Sequence, residues 1–226
     1  MSSPSLPASF RWDYIPDNFD EIVSLTIEHL ELVVASVIIT VILTIPLAVL
    51  VKDHELPYQV ALNLSGVGYT IPSLALLAIL VPIVGIGAEP VIISLVVYSV
   101  LTILQNTVVG LRGVPQAALD AARGMGMTNW QIITRVELPL ALPSIMTGVR
   151  LATVTAVGIA TIGVLVAGGG LGELIFTKGI QRGLDLTPIV VGAVAATLLA
   201  IALDLLLQGA EWLAKPWVRR ARAASG

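Results

Sequence analysis

Residues that could carry out catalysis are scarce in this chain, and their spacing fits no common reaction. The one dense glycine cluster, at residues 168–172, lacks the Lys and the Ser or Thr that complete a nucleotide-binding phosphate loop. There is no cysteine, and His29 and His54 lie on either side of the first apolar run, which argues against a metal site. The few charged residues include no Ser/His/Asp set and no carboxylate pair at catalytic spacing. We predict no catalytic residue, metal or cofactor in this chain.

The composition indicates which solvent surrounds the chain. Of its 226 residues, 56% are hydrophobic and 12% are charged, whereas a soluble domain has about 25% charged residues. The apolar residues lie in runs of the length that a helix needs to cross a bilayer, about 20 residues. A net charge of -3 provides no basic surface for nucleic acid. The chain is therefore expected to be an integral membrane protein that contacts lipid and binds no nucleic acid.

Five apolar runs predict an all-α fold with five transmembrane helices. They cover residues 32–51, 62–84, 90–111, 142–166 and 188–207. Pro46, Pro72 and Pro82 interrupt the first two runs and free backbone groups that need partners inside the bundle. Because the number of spans is odd, the two termini are expected on opposite sides of the membrane.

Basic residues orient this arrangement. One side collects Lys52, four arginines assigned to the loop between the third and fourth spans, and four basic residues of the tail, against three on the other side. In chain order these are Lys52, Arg112, Arg123, Arg135, Arg150, Lys215, Arg219, Arg220 and Arg222, against Arg11, Lys178 and Arg182. The positive-inside bias then places the loop and the C-terminus in the cytoplasm and the N-terminus outside.

This orientation divides the chain into three parts. Residues 1–29 are expected to form an extracytoplasmic segment, which lacks the basic start of a signal peptide. Residues 30–213 form the transmembrane domain, with its loop at 112–141. Residues 214–226 form a cytoplasmic basic tail.

Polar residues and one helix break indicate a candidate pathway through the spans. The break Thr70-Ile71-Pro72-Ser73 lies in the second run, and Gln105 and Asn106 lie in the third. These two neighbours point about 100° apart on a helix, so at least one is expected to face the bundle interior. The candidate pathway residues are Tyr69, Pro72, Ser73, Tyr98, Gln105 and Asn106. Ordinary kinked packing and hydrogen bonds between helices explain the same residues, and both interpretations stay open.

Small residues recur every four positions in the last two runs. The rows are Gly148, Ala152, Ala156 and Ala160, and Gly192, Ala196 and Ala200. Such rows allow helices to approach closely in lipid. Asp204 continues the second row, and a carboxylate at that depth usually faces protein or water. It is expected to be either a hydrogen-bonded structural residue or a contact for an ion or solute.

The loop after the third run is expected to form two short helices at an angle. The first leads to Gly124 and Gly126, one of which is predicted to have a positive φ. Thr128 and Gln131 form a capping box for the second helix, which is expected to end before the Leu-Pro pair at 138–139.

The side chains of this loop predict a protein partner. Met125, Met127 and Trp130 give it an adaptable apolar surface. Nothing else in the chain is expected to project into the cytoplasm and cover that surface. The alternative is an amphipathic loop that lies on the membrane.

The spacing in this loop resembles the signature loop of the membrane subunits of ATP-driven importers. That pattern is Glu-Ala-Ala, three residues, Gly, nine residues, Ile, one residue, Leu-Pro; here it reads Asp120-Ala121-Ala122, Gly126, Val136 and Leu138-Pro139. The resemblance implies a type I ABC importer permease fold and docking to separate cytoplasmic ATPase subunits, which bind ATP and Mg. The implied contact residues are Asp120, Ala121, Ala122, Gly126, Met127 and Trp130.

Four further segments resemble the osmoprotectant branch of these permeases, whose solutes are glycine betaine, carnitine, choline and proline. They are residues 70–76, 105–107, 136–143 and 168–172, although Gln105 stands where that branch commonly has Arg. The resemblance implies a multi-pass protein of the bacterial plasma membrane that works with a second permease copy or a sister permease. It also implies a separate extracytoplasmic binding protein. Gly168, Gly169, Gly170 and Gly172 are the candidate outer gate or docking surface, with an ordinary flexible loop as the alternative.

Other functions remain open at this point. The solute could be another small amino-acid-like molecule. A secondary transporter would show an internal repeat and groups near the membrane midplane that bind the coupling ion or proton. In this sequence no repeat is evident, and Asp204 is predicted to stand alone. A membrane scaffold would need only the loop and its partner.

Overall fold

The computed structural model describes residues 10–214, and every regular element in that part of the chain is helical. The α-helices are α1 Tyr14–Asp17, α2 Phe19–Val51, α3 Glu55–Thr70, α4 Ser73–Val84, α5 Ala88–Arg112, α6 Gln116–Gly124, α7 Asn129–Ile132, α8 Leu138–Ala160 and α9 Leu186–Leu213. The π-helical turn Ile133–Glu137 joins α7 to α8, the 3₁₀ segment Thr161–Val166 follows α8, and the π-helical segment Glu173–Ile180 precedes α9. The predicted all-α membrane fold is confirmed.

Four continuous stretches of the described residues are long and apolar enough to cross a membrane. They are Phe19–Val51, Ala88–Arg112, Asn129–Val166 and Leu186–Leu213. The predicted second span is instead a broken pair, α3 and α4, bent by 95°. The prediction of five spans therefore depends on whether this pair crosses the bundle once.

Contacts at its two ends show that the broken pair crosses the bundle. At the start of α3, Glu55 forms an ion pair of 3.1 Å with Arg112, the last residue of α5. Beyond the end of α4, the Gly87 N–H donates to the Val166 carbonyl oxygen, 2.8 Å away, at the end of the fourth span. These partners lie at opposite ends of the bundle, so α3 and α4 together form one span and the total is five.

Two hydrophobic clusters define the ends of the bundle. At the loop end, the C-terminal halves of α2 and α5 pack against the first half of α8 around Val51, Leu104 and Ile145. At the far end, the other halves of these helices pack against α9 around Val33, Leu95 and Val157. Large apolar side chains remain exposed on the outer faces, as expected of lipid-facing surface; among them are Ile42, Leu64, Ile83, Leu198 and Leu206.

The small-residue row of α8 packs mainly against α5. A Cβ at Gly148 would lie 2.7 Å from the Cβ of Asn106, and Ala152, Ala156 and Ala160 are buried. Gly192 of α9 instead approaches the side chains of Leu174 and Ile175, each at 2.9 Å from an added Cβ. The row in α8 therefore packs on a different neighbour from the row in α9.

The N-terminal segment is not separate from the bundle. The helix α2 starts at Phe19 and continues through the expected boundary at residue 29. Arg11 pairs with Asp185 at 2.5 Å, and Glu21 forms an ion pair with Lys178. Residues 10–29 therefore pack onto the far end. Residues 1–9 and the predicted basic tail from Lys215 onward lie outside the described residues.

Candidate functional site: the loop and the helix break

The turn in the loop has the predicted backbone conformation and helix cap. Gly126 has a φ of +76°, and nothing lies within 4 Å of where its Cβ would be. Backbone conformation, and not crowding, therefore favours glycine here. Next along the chain, the Gln131 N–H donates to Thr128 Oγ1 at 3.3 Å, and the Thr128 N–H donates to Gln131 Oε1 at 2.9 Å. The predicted positive φ and capping box are both confirmed.

The second loop helix does not end before the Leu-Pro pair, contrary to the prediction. The helix α7 continues through the π-helical turn into α8, so Asn129–Val166 is one continuous span. In that turn the Leu138 N–H already donates five residues back, to Ile133. Pro139 then lies in the first turn of α8, where its missing N–H is tolerated. The loop thus consists of one separate helix, α6, and a helical stem that continues without a break into the fourth span.

The six predicted contact residues are not equally available at the surface. Trp130 is 70% exposed, as is the neighbouring Met125. Asp120, Ala121 and Gly126 are also exposed, and Met127 is half-buried. Ala122 is only 1% exposed and packs into the loop itself. A partner that docks here would therefore meet one side of α6 together with the tip that follows it.

The carboxylate of Asp120 is engaged within its own helix. It accepts hydrogen bonds from Gln116 Nε2 at 2.9 Å and Arg123 Nη1 at 3.1 Å. Both partners are one helical turn away on the exposed face of α6. The shorter side chain of Asp, compared with Glu in the family pattern, is thus held close to the helix surface.

Sequence analysis missed a charged cluster where the loop joins the bundle. Lys52 Nζ lies 3.1 Å from Glu137 Oε1, and these side chains are only 10% and 7% exposed. Arg112 Nε donates to the Lys52 carbonyl oxygen at 2.8 Å. Burial alone would lower the pKa of Lys52, but its hydrogen bonds with Asp53 and Glu137 raise the pKa above its ordinary value. In the sequence, Lys52 and Arg112 indicate only the membrane orientation, and Glu137 is only part of a motif.

The predicted break in the second span is present at Ile71 and Pro72. Both residues are extended, as expected for a residue that precedes proline and for proline itself. Pro46 and Pro82 lie inside continuous helices, so only Pro72 breaks a span. The Ile71 carbonyl, which α3 leaves without a helical partner, accepts a hydrogen bond from the Tyr98 hydroxyl.

Aromatic side chains support this break. The rings of Tyr69 and Tyr98 pack edge to face, with centroids 5.8 Å apart and planes at 75°. Tyr98 is buried, whereas Tyr69 is 44% exposed. Together with Pro72 and the half-buried Ser73, they form a compact group at the bend.

Gln105 and Asn106 lie apart from this group. They are about two helical turns, or roughly 10 Å, along α5 from Tyr98. Asn106 faces α8, where its carbonyl accepts a hydrogen bond from Ser144 Oγ at 2.7 Å, and its side chain donates to Thr102 O at 2.9 Å. Gln105 is exposed. As predicted, one of the two faces the bundle interior; its bond with Ser144 joins α5 to α8, whereas its side-chain bond with Thr102 stays within α5.

Asp204 is not isolated, contrary to its sequence-based description. Arg150 donates to both carboxylate oxygens of Asp204, at 2.7 and 2.9 Å, and also lies 3.9 Å from Glu211. Arg150, which the sequence predicts to lie in the loop, instead stands twelve residues, or about 18 Å, into α8. The pair borders a groove of about 430 Å³. Its other lining residues are Thr147, Leu151, Val154 and Thr155.

The glycine cluster at the far end is attached to α2. The Gly170 N–H donates to Glu28 Oε2 at 3.2 Å, and the Leu171 N–H donates to His29 Nδ1 at 3.3 Å. The other ring nitrogen of His29 lies 3.1 Å from the Val157 carbonyl oxygen, to which it can donate. A Cβ at Gly172 would lie 1.9 Å from the Thr161 carbonyl oxygen. This segment is therefore closely packed against α2 and the end of α8, and its role as outer gate or docking surface stays a prediction.

Comparison with known proteins connects these features. The sequence model of a family described as "Binding-protein-dependent transport system inner membrane component" matches residues 41–219. The glycine betaine/carnitine/choline transport system permease protein OpuCB of Bacillus subtilis is 38% identical over 201 residues, which are 88% of this chain and 90% of that protein. The osmoprotectant import permease protein OsmW of Salmonella typhimurium is 38% identical over 90% of this chain and 96% of its own length.

Solved structures show the same architecture. An inward-facing form of the MetNI methionine ABC transporter has a chain that superposes with a TM-score of 0.69 at 26% identity. The match covers 83% of this chain and 95% of that one. The predicted type I importer permease fold is therefore confirmed.

Proposed function

The chain belongs to the family of binding-protein-dependent transport system inner membrane components, and we propose that it moves an osmoprotectant such as glycine betaine, choline, carnitine or proline across the bacterial plasma membrane. The observation that carries the choice of solute is its similarity to permeases named for glycine betaine, carnitine and choline, for example 38% and 39% identity over 88% of the chain. The methionine transporter chain is more distant, at 26% identity.

The loop is proposed to receive the ATPase subunits, which bind ATP and Mg. The support is its exposed apolar tip, where Met125 and Trp130 are each 70% exposed, and the fixed turn at Gly126. Asp120 and Ala121 would lie at the edge of this contact, and Met127 at its base. A second copy of this chain or a sister permease, and an external binding protein, complete the proposed importer.

The pathway is proposed to pass the break at Ile71 and Pro72. Irregular backbone at membrane depth is tolerated where it lines a cavity or is buried in protein, and Tyr69, Ser73 and Tyr98 surround this break. Gln105 is proposed to face the same pathway from the exposed side of α5. The packed glycines at 168–172 are proposed as the outer closure, because they link α2 to the end of α8.

The loop end is proposed to face the cytoplasm. Arg150 lies inside α8 and is not counted at either end. The described residues then carry four basic side chains at the loop end and three at the far end. The four basic residues after Ala214 lie outside the described part. The charge bias within the described residues is thus modest, and docking of a cytoplasmic ATPase on the loop is the stronger support for this orientation.

The proposed function is tested by uptake in proteoliposomes that contain the purified complex with its ATPase and binding protein. We expect ATP-dependent accumulation of radiolabelled glycine betaine, competed by choline or carnitine but not by methionine. Accumulation driven by a proton gradient without ATP would indicate a secondary transporter. ATPase binding without uptake of any of these solutes would favour a scaffold. If methionine, and neither choline nor carnitine, reduced the accumulation of glycine betaine, the preferred solute would be of a different class from the osmoprotectants.

A further inference from the structure

We propose that the connection between α2 and α3, residues 52–54, receives the movement of the loop and passes it to the broken span. We call these residues the α2–α3 turn. The proposal rests on the proposed function, because it assumes that an ATPase moves the loop. It assigns a positioning role in energy coupling to Arg112, Lys52 and Glu137, which are not among the six predicted contact residues.

We call the two points where the loop joins the bundle its roots. Arg112, the last residue of α5, fixes the first root to the α2–α3 turn. Its Nε donates to the carbonyl oxygen of Lys52 at 2.8 Å, and its Nη2 lies 3.1 Å from Glu55 Oε2. The guanidinium carbon lies 4.5 Å from the centroid of the Tyr58 ring. Planar guanidinium groups suit such combined hydrogen bonding and ring contact. Arg112 thus holds both the turn and the first residues of α3.

The second root is fixed to the same turn by Glu137, the last residue of the π-helical turn before α8. Glu137 Oε1 pairs with Lys52 Nζ at 3.1 Å, and both side chains are at least nine-tenths buried. Glu137 Oε2 is buried and has no hydrogen-bond partner among residues 10–214. Removal of Lys52 would therefore leave a buried carboxylate without its paired cation, whereas removal of Glu137 leaves Lys52 paired with Asp53 alone.

Both roots of the loop therefore attach to one short turn. The stem from Asn129 is continuous with α8, so a displacement of the loop acts directly on Glu137 and, through it, on Lys52. The turn leads into α3, whose other end is the 95° bend where Tyr98 contacts Ile71. A movement received at Lys52 would in this way reach the proposed pathway.

Two labelling positions separate movement of the loop from movement of the turn. The chain has no cysteine, so a single introduced cysteine takes a fluorescent label specifically. Arg135→Cys reports on the stem of the loop, where the native side chain is exposed outside the proposed docking surface. Leu56→Cys reports on the start of α3, where the native side chain is 77% exposed. In the complete complex, the response of each label is measured on addition of ATP and of ATP with vanadate.

Glu137→Gln tests the transmission step, and Asp53→Asn is its matched control. Asp53 accepts a 2.8 Å hydrogen bond from the same Lys52 Nζ but lies within the turn and is 70% exposed. We expect Glu137→Gln to reduce the Leu56 response and the glycine betaine imported per ATP by about fivefold or more, the lower limit of typical coupling between sites. The Arg135 response should persist, and Asp53→Asn should resemble the parent protein. The swap Lys52→Glu with Glu137→Lys should restore part of the response.

An unchanged Leu56 response in Glu137→Gln would overturn the proposal, as would an equal loss in Asp53→Asn. If Glu137→Gln does not assemble, an assembled charge-swap variant is measured instead, and its failure to transmit while the Arg135 response persists would also overturn the proposal. Absence of any nucleotide response at Arg135 in the parent complex would instead contradict the docking of an ATPase on the loop, and with it the proposed function.

Discussion

Arg150 and Asp204 show how a charge can be accommodated deep in a membrane bundle. The bidentate pair satisfies both carboxylate oxygens, which favours the structural interpretation of Asp204 over an isolated ion site. Its side chains are still 25% and 32% exposed, so the groove beside them needs protein or water in preference to lipid. The pair therefore joins α8 to α9 and also marks a face that lipid does not readily cover.

Asp204→Asn is expected to lower the stability of the folded protein more than its rate of solute uptake. It removes the charge that balances Arg150, so the midpoint of thermal unfolding should fall in detergent, whereas Asp204→Glu should lose less. In the double variant Arg150→Met with Asp204→Leu, both charges of the pair are removed, and Glu211 loses only its longer contact of 3.9 Å with Arg150, so part of the loss should be recovered. A variant Asp204→Asn with parental stability but no uptake would instead favour direct contact with the solute.

Gly126 is expected to tolerate asparagine better than alanine or aspartate. At a φ of +76°, a Cβ is disfavoured by about 1 kcal/mol, and asparagine tolerates this conformation better than most residues. Gly126→Ala and Gly126→Asp should reduce binding of the ATPase, with the larger effect for Asp because its charge enters the docking surface. Gly124→Ala is the matched control, since it too has open space around its Cβ but no positive φ. Co-purification of the ATPase measures the difference.

At the scale of elements, the broken span shows how proline and a tertiary contact act together. Pro46 and Pro82 remain inside helices, whereas Ile71 and Pro72 become extended. At the break, Tyr98 donates to the carbonyl that the helix no longer satisfies. Proline alone therefore does not determine a break; a donor on a neighbouring helix stabilises it.

Tyr98→Phe is expected to destabilise the bend while keeping its packing. The loss of one hydrogen bond to a partly buried carbonyl should cost about 1 kcal/mol. Tyr69→Phe is the control, because Tyr69 shares the aromatic contact but is far more exposed. We expect Tyr98→Phe to lower the thermal midpoint and slow glycine betaine uptake, with smaller effects of Tyr69→Phe. Equal effects of the two changes would argue against the bond to Ile71.

At the scale of the whole molecule, the far end and the loop end are expected on opposite sides of the membrane. Trp12 is 77% exposed at the far end, and Met125 is 70% exposed at the loop tip. In intact cells, a membrane-impermeant maleimide should label Trp12→Cys, and it should label Met125→Cys only after permeabilisation. The reverse pattern would contradict the proposed orientation. Labelling of both sites from the same side would contradict five crossings.

The sequence predicted local features well because they depend on neighbouring residues. The turn at Gly126 requires a conformation that glycine adopts readily, and the capping box between Thr128 and Gln131 closes within one helical turn. The break at Pro72 was likewise predictable from its position inside an apolar run. The end of the second loop helix was predicted wrongly, because a π-helical turn allowed the chain to continue into α8.

The helical membrane fold and the family of this permease follow from the linear chain, because runs of apolar residues and the spacing of the loop motif can be recognised without a structure. Which distant charges meet depends on the fold. Arg150 meets Asp204, and Lys52 meets Glu137, across 54 and 85 residues of sequence. A charge in a span must find a partner, but the packing of the helices selects that partner. For the same reason, only the fold shows that both roots of the loop rest on the α2–α3 turn.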